Sequence, residues 1–347
     1  MFEPTIKDIA KICGVGVSTV SRALNDHPDI NPETKEKILS AIQEYGYVPN
    51  DSARNLKRVD AKAIAVLVKG IANPFFTSMI TVIEQECKKK HYAMELSHIE
   101  ADEDEVDVAQ KVVKEKRLRG IIFLGGLFSH SEEKLKKLSV PFVFSTVGAI
   151  PENISKKAYS SISVDDRRES AKMVDYLISL GHTKIAILVA EAQEESIGKL
   201  RLEGYCDALK AHGIEIKRNL ICQTKEELSH FSMENGYLTT KKLLERREPF
   251  TALYAVSDAL AIGALRALYE AGLRVPDDIS LAGYDGIDMA NYTVPSLTTI
   301  RQPVEEMAKD TTKLLFDIIA KKTKHQHITY EAELEIKEST TSYEKQI

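Results

Sequence analysis

Three observations predict an α/β fold carrying a small all-helical head. The first fifty residues hold three short apolar helix stripes, separated by glycine turns and an asparagine–proline step. From Ala63 onward, short apolar runs alternate with amphipathic helical stretches, which signals βαβ units and a parallel sheet. The alternation comes as two series of similar size, so two lobes with a cleft between them are expected.

The head is read first. Ile6, Ile9, Ala10 and Cys13 recur at i, i+3, i+4 and i+7, one apolar stripe of a helix. Thr5 stands at the N-cap, with Asp8 placed to reach back as in a capping box, and Gly14 stands where a C′ glycine does. A second helix spans about 17–24, with Val20, Ala23 and Leu24 inward. Two short helices joined by a tight glycine turn make a helix-turn-helix, whose second helix can enter the major groove. Val17, Ser18 and Arg22 are then the residues that meet base edges. Serine pairs with several bases, whereas arginine can bond guanine twice. Thr19 and Ser21 suit phosphate contacts or turn caps as well as base reading. A third helix opens at Asn31-Pro32 and stops at Gly46, with Ile38, Leu39, Ile42 and Tyr45 as its apolar side. After Pro49, Asn50 caps a short segment whose apolar residues are Ala53 and Leu56. A helix this short is marginal in water and folds only when something docks on it. A leucine among basic residues suits a minor-groove wedge. Over residues 1–58, eight basic side chains face eight acidic ones. DNA affinity would thus rest on placement, helix N-termini and the doubled contacts of a dimer.

The body follows a short polar joint at 59–62. The first series reads as a strand at 63–68, a helix at about 75–90 and a strand near 92–97. It continues with a helix near 104–116, a strand at 120–124, a helix at 132–138 and a strand at 141–145. The second series begins after 161–165, with helices near 168–180, 195–212, 232–246 and 259–271. Strands fall at 185–189, 220–222, 252–255 and 280–283. A helix at about 304–319 and a last strand at 332–336 precede a polar tail expected to be loose. Asp165-Asp166 and the run Asp102–Asp107 read as acidic N-caps and solvated faces, and His182 as a turn residue.

Composition narrows the function. The 347 residues are 43% hydrophobic with a formal net charge of −5, against wholesale nucleic-acid coating but not against a localised binding face. Cys13, Cys87, Cys206 and Cys222 form no CxxC pair, so neither a metal nor a disulfide framework is expected. No signal-peptide pattern opens the chain, and no apolar run approaches the ~20 residues that span a bilayer. A cytoplasmic protein without membrane attachment is expected. Nucleotide-cofactor and nucleophile motifs are absent from the sequence, so we expect no enzyme and no cofactor.

The head closely resembles that of the lactose/galactose-repressor (LacI/GalR) family of bacterial transcription regulators. Thr5, Asp8, Ala10, Gly14, Val15, Thr19, Val20, Ser21, Arg22, Asn25, Tyr47, Pro49, Asn50, Ala53 and Leu56 carry the likeness. It extends through Asn73-Pro74-Phe75-Phe76, Leu180-Gly181-His182, Leu200–Tyr205, Ser257–Gly263, Val275–Ser280, Gly283-Tyr284-Asp285 and Leu297–Ile300. The family implies a periplasmic-binding-protein-like body of two lobes crossed by three hinge strands. It implies a DNA-contacting set of Thr5, Val17, Ser18, Thr19, Ser21, Arg22, Asn25, Asn50, Ala53, Leu56 and Lys57, with Leu56 levering a base step open. The implied effector set is Phe75, Phe76, Thr146, Arg201, Phe231, Ser257 and Asp285. Arg201 offers a fork of donors, Asp285 an acceptor for hydroxyls, and Phe231 a cover for an apolar ring face. The other reading of Arg201 is a structural bridge to Asp285. Three positions depart from the family: Gly16 and Ser257 replace the usual serine and asparagine, and Thr146 stands where many members carry aspartate.

The expected organisation is a head at 1–49, a hinge helix and linker at 50–60, a body at 61–340 and a loose tail at 341–347. Lobe one would take about 61–160 and 292–321, and lobe two about 161–291 and 322–340. The expected function is sequence-specific transcriptional regulation, as a repressor. A homodimer would bind a pseudo-palindromic operator in double-stranded DNA, and a carbohydrate effector between the lobes would control it. The alternative is a cytoplasmic small-molecule sensor or binding protein acting with a protein co-regulator.

Overall fold

The computed structural model describes residues 4–24, 27–47, 62–100, 102–126, 130–148, 154–189, 196–225 and 227–343. The chain divides into two compact units, Met1–Ala61 and Lys62–Ile347.

The head contains α1 (Ile6–Cys13), α2 (Val17–Leu24) and α3 (Pro32–Glu44). The Thr5 N–H and hydroxyl both donate to the Asp8 carboxylate, at 2.8 and 2.6 Å, fixing the entry to α1. Gly14, at φ +67°, closes that helix with its N–H on the Ala10 and Lys11 carbonyls. Asn31 Oδ1 accepts from the Glu33 and Thr34 N–H groups at the start of α3. Ile9, Ala10, Cys13, Val20, Ala23, Ile38, Ala41 and Tyr47 form the core. The third helix faces inward differently from expectation. Leu39 and Tyr45 are 42% and 47% exposed, because the i, i+3, i+4 set that meets α1 and α2 is Ile38, Ala41 and Ile42. Asn25 and the whole expected hinge segment, with Asn50, Ala53, Leu56 and Lys57, lie outside the described residues.

The body is built on two six-stranded sheets. The first contains β1 (Ala63–Lys69), β2 (Ala93–Ile99), β3 (Gly120–Leu124), β4 (Phe142–Ser145), β5 (Ser161–Val164) and β11 (His327–Tyr330), in the order β11-β5-β4-β3-β1-β2. The second contains β6 (Ile185–Val189), β7 (Ile221–Gln223), β8 (Ala252–Ala255), β9 (Ser280–Asp285), β10 (Thr298–Arg301) and β12 (Glu333–Glu335), in the order β12-β10-β9-β8-β6-β7. Every pairing is parallel except β10 with β12. The connecting helices are α4 (Phe75–Lys89), α5 (Glu105–Glu115), α6 (Glu132–Leu135), α7 (Asp166–Ser179), α8 (Ile197–Ala211), α9 (Met233–Glu245), α10 (Asp258–Glu270) and α11 (Val304–Ile319). The central strands are buried on both faces, as parallel strands covered by helices must be. Among the described residues, no helix is long and apolar enough to cross a membrane.

The sheets redraw the expected lobe ranges. β5 pairs with β4 in the first sheet rather than opening the second, and β10 pairs with β9 in the second rather than the first. Each ends where the chain changes lobe, so an apolar run alone cannot assign it. The last pair divides likewise: the unforeseen β11 joins the first sheet and β12 the second. The chain therefore crosses between lobes three times, after β5, after β10 and after β11.

The segment after β12 is not loose up to Tyr343. Ser339 Oγ donates to the Leu281 carbonyl at 2.6 Å, and the Tyr343 N–H to the Leu180 carbonyl at 2.7 Å. His182 is the anchor, a buried side chain rather than a turn residue. Its Nε2 lies 3.1 Å from the Thr341 carbonyl and 3.0 Å from Ser280 Oγ, and its Nδ1 2.9 Å from Thr251 Oγ1. A carbonyl only accepts, so Nε2 carries the proton and Nδ1 accepts from Thr251.

Burial pushes the His182 pKa below its ordinary 6.5. On acidification the unfolded chain therefore takes up this proton first. The stability it contributes is complete above about pH 6.5 and is lost as pH falls through the lower folded value. Urea midpoints measured down this range should decline, and His182→Gln should flatten part of the decline. An unchanged slope in the variant would contradict the assignment.

Candidate functional site

A cleft of about 660 Å³ opens at the carboxyl ends of the strands of both sheets, where ligands of open α/β sheets bind. From lobe one come the β1–α4 loop with Asn73, the first residues of α4, and the ends of β3 and β4 with Gly125 and Thr146. From lobe two come Arg201 on α8, Phe231 before α9, and Asp285 at the end of β9. Gln302 adds a side chain from the crossing after β10.

The strand ends are held in unusual backbone conformations. Thr146 has φ +70° and Asp285 φ +117°, a region that costs free energy for residues with a side chain. The Gly125 N–H donates to Thr146 Oγ1 at 3.1 Å. Gly125 itself has φ +71°, and a Cβ there would lie 2.6 Å from the Lys69 carbonyl oxygen. Only glycine lets the two strand ends approach this closely.

A buried charge cluster forms the floor. Arg201 Nε donates to Asp166 Oδ1 at 2.8 Å. Its Nη1 donates to the Val256 carbonyl at 2.6 Å and to Asp285 Oδ1 at 3.4 Å. The guanidinium lies 3.6 Å from the Tyr284 ring centre, a cation–π contact. Asp285 also accepts from Gln302 Nε2 and, across the lobes, from Asn73 Nδ2, both at 3.0 Å. Burial works against the Arg201 charge, but Asp166 and the groups around it hold its pKa above the ordinary value. Burial pushes the Asp166 and Asp285 carboxyls up, with Arg201 opposing. Asp258 beneath them, pressed by burial and by Asp285, is pushed up to about 8.

A second polar group lies toward the rim. Asp104, Glu105 and His130 bring three potential metal-ligand atoms within 4.8 Å of one another. Two lysines already occupy this neighbourhood. Lys134 Nζ is 2.7 Å from Asp104 Oδ2 and Lys69 Nζ 3.6 Å from Glu105 Oε1, an arrangement of ion pairs rather than a cage for a cation. Although burial opposes it, the His130 hydrogen bond and Lys69 hold the Glu105 carboxyl below its ordinary range.

Phe75, Phe76, Thr146, Arg201, Phe231 and Asp285 all line the cleft. Ser257 does not. It is fully buried, and its hydroxyl accepts the Leu260 N–H at 3.2 Å to cap α10. A side chain this short serves its own helix first. Asp166 and Glu105 correct the expectation of solvated acidic faces, being 3% and 2% exposed; Asp165 and Asp104 are the caps beside them. Asn73 and Gln302 had not been expected in the site. The Asn73-Pro74 step, an N-cap signature, was the available signal for the first, and nothing local marks the second.

In the head, Thr5, Val17, Ser18 and Arg22 are exposed, and Thr19 and Ser21 half-buried, while Val20 and Ala23 turn inward. Arg22 Nη1 lies 3.3 Å from Asp29 Oδ2, an exposed pair that costs little to break. Gly16 supplies only its carbonyl to the start of α2, to the Thr19 and Val20 N–H groups.

Two outcomes follow from this geometry. Arg201→Ala leaves two buried carboxylates without their counter-charge and should destabilise the body by about 3–5 kcal/mol. Urea unfolding would check this, so the variant is no clean test of ligand binding. At Gly16 a Cβ would meet Ser18 Oγ only at 3.5 Å, an ordinary contact. Gly16→Ser should therefore gain a few tenths of a kcal/mol from a new N-cap, read as greater hydrogen-exchange protection of the α2 amides.

The comparisons with known proteins agree with both parts of the chain. Residues 5–50 match the family described as bacterial regulatory proteins, lacI family, and residues 174–340 a periplasmic binding protein-like domain. The HTH-type transcriptional regulator MalR of Clostridium butyricum is 39% identical over 331 residues, covering 95% of this chain and 97% of that one. A lac repressor dimer bound to operator and the anti-inducer ONPF is similar at TM-score 0.76 and 25% identity, covering 98% of this chain and all of the other. A transcriptional regulator CelR–cellobiose complex is similar at TM-score 0.71 and 27% identity, covering 97% and 100%. With a helix-turn-helix head, a two-sheet body and relatives matching along nearly the whole length, the chain belongs to the LacI family of bacterial transcriptional regulators.

Proposed function

We propose that this protein represses transcription in the bacterial cytoplasm as a homodimer on a pseudo-palindromic operator, and that a carbohydrate in the cleft sets its affinity for DNA. The observation that carries the reading is the pairing, in one chain, of an outward-facing α2 edge at Val17, Ser18 and Arg22 with a ligand-sized cleft. Those three residues would meet base edges in the major groove. Thr5, Thr19, Ser21, Asn25 and Asn50 would bond the backbone. Ala53 and Leu56 would enter the minor groove beside Lys57.

In the cleft, Phe75, Phe76 and Phe231 would take the apolar face of a sugar ring, and Asp285, Arg201 and Thr146 its hydroxyls. The cellobiose-bound relative supports a carbohydrate, as does the mixture of ring faces and carboxylates. Occupancy would change the balance of lobe positions, which the Asn73–Asp285 bond helps to set. DNA affinity would follow by reciprocal linkage.

Selection of binding sites from a random duplex pool by the full-length protein should yield a pseudo-palindrome. Recovery of no preferred sequence, with and without candidate sugars, would refute the reading. On the selected site, Arg22→Ala should cost about 1–3 kcal/mol and relax preference at one base position in each half-site, as measured by gel shift.

A further inference from the structure

We infer that the ligand of the cleft is an uncharged sugar, one carrying neither phosphate nor carboxylate. The inference deepens the proposed carbohydrate reading and rests on it. Three independent features of the wall exclude an anion.

The first is the balance of charge. Among the described lining residues, Glu100, Asp102, Glu103 and Asp104 edge the lobe-one rim, and Glu227 faces from lobe two. Glu105 and Asp285 lie deeper, and among the described lining residues the permanent cations are Lys69 and Arg201. An anion entering here meets like charge, screened by water at the exposed rim and less so beside buried Glu105 and Asp285.

The second is that both cations are engaged. Lys69 Nζ donates to the Glu103 carbonyl at 2.8 Å and sits 3.6 Å from Glu105. Arg201 is bonded to Asp166, Asp285 and the Val256 carbonyl. Drawing its guanidinium toward a ligand phosphate would strip buried carboxylates of their partner.

The third is that side chains already occupy part of each helix N-terminus at the cleft. Such termini are ready-made phosphate sites when their N–H groups are free. At α4, Asn73 Oδ1 accepts the Phe75 N–H at 3.1 Å. At α5, Asp104 Oδ1 accepts from Val106 and Asp107 at 2.9 and 3.0 Å. At α8, Ser196 Oγ accepts from Lys199 at 3.3 Å. Each cap residue itself lines the cleft. At α5 an anionic group would have to displace a bonded carboxylate.

The same wall suits hydroxyls and ring faces. Carboxylates accept from hydroxyls, and Phe75 and Phe76, buried and packed edge to face at 5.5 Å, line the cleft together with Phe231. A cationic ligand gains little at the floor, because Asp285 already has Arg201, Asn73 and Gln302 as donors.

Thermal shift and calorimetry on the full-length protein near neutral pH would test this. The probes are ribose, glucose, maltose and cellobiose, each beside its terminal phosphate ester, with glucosamine beside glucose and inorganic phosphate alone. Gel shifts on the selected operator would run on the same samples. A neutral sugar should bind and its ester should bind at least about tenfold more weakly, with no saturable response to inorganic phosphate. An ester binding as tightly as its parent, or glucosamine binding more tightly than glucose, would overturn the inference and leave the carbohydrate reading standing. Silence across the whole panel, with operator binding intact, would remove the carbohydrate reading and this inference together.

Discussion

Arg201 is the residue on which the ligand-facing half of the body depends. Its guanidinium is buried, stacked on Tyr284 and bonded to Asp166 and Asp285. A charge so far from water is tolerable only with its counter-charges in fixed places. That requirement ties the start of α7, the middle of α8 and the end of β9 to one point. The end of β9 then carries Asp285 at a positive φ, offering its other oxygen to Asn73 in the opposite lobe. An electrostatic constraint inside lobe two thus reaches the surface that lines the cleft.

The glycines in the motifs of lobe two have a plain physical cause. A Cβ on Gly263 would lie 1.9 Å from the Met233 carbonyl oxygen, and one on Gly204 2.1 Å from that of Arg167. These are the points where α10 crosses α9 and α8 crosses α7, with backbone against backbone. The spacing of such glycines in the sequence therefore records helix crossings rather than contacts with a ligand.

Much of this was legible in the residues. Periodicity located the helices to within a few positions, because each buries a continuous stripe against a sheet or a neighbour. Capping signals at Thr5, Asn31 and Asp104 marked true helix starts. Long-range facts were not legible. Whether β5 and β10 belong to one lobe or the other is decided by which strand lies beside them, across a chain crossing. Asp166 reads as one more acidic cap until Arg201, thirty-five residues on, is seen beside it. His182 looks like a turn residue until Thr251, Ser280 and Thr341 converge on its ring. Among the residues around the cleft, the family resemblance pointed to Phe75, Phe76, Phe231, Arg201 and Asp285, whereas Lys69, Glu105 and Asp166 carried no signal. Ser257 could not be ruled out, because only the structure shows its hydroxyl committed to α10.

The three crossings bear on how the body is made. The first sheet takes β11 and the covering helix α11 from the final fifty residues, and the second takes β12. Neither lobe is contiguous in sequence, so neither can be completed during synthesis until β11 and β12 have been made. A protease nick at any one crossing would leave two strands of chain still bridging the halves. Full separation of the lobes would therefore require breaking or unfolding all three crossings.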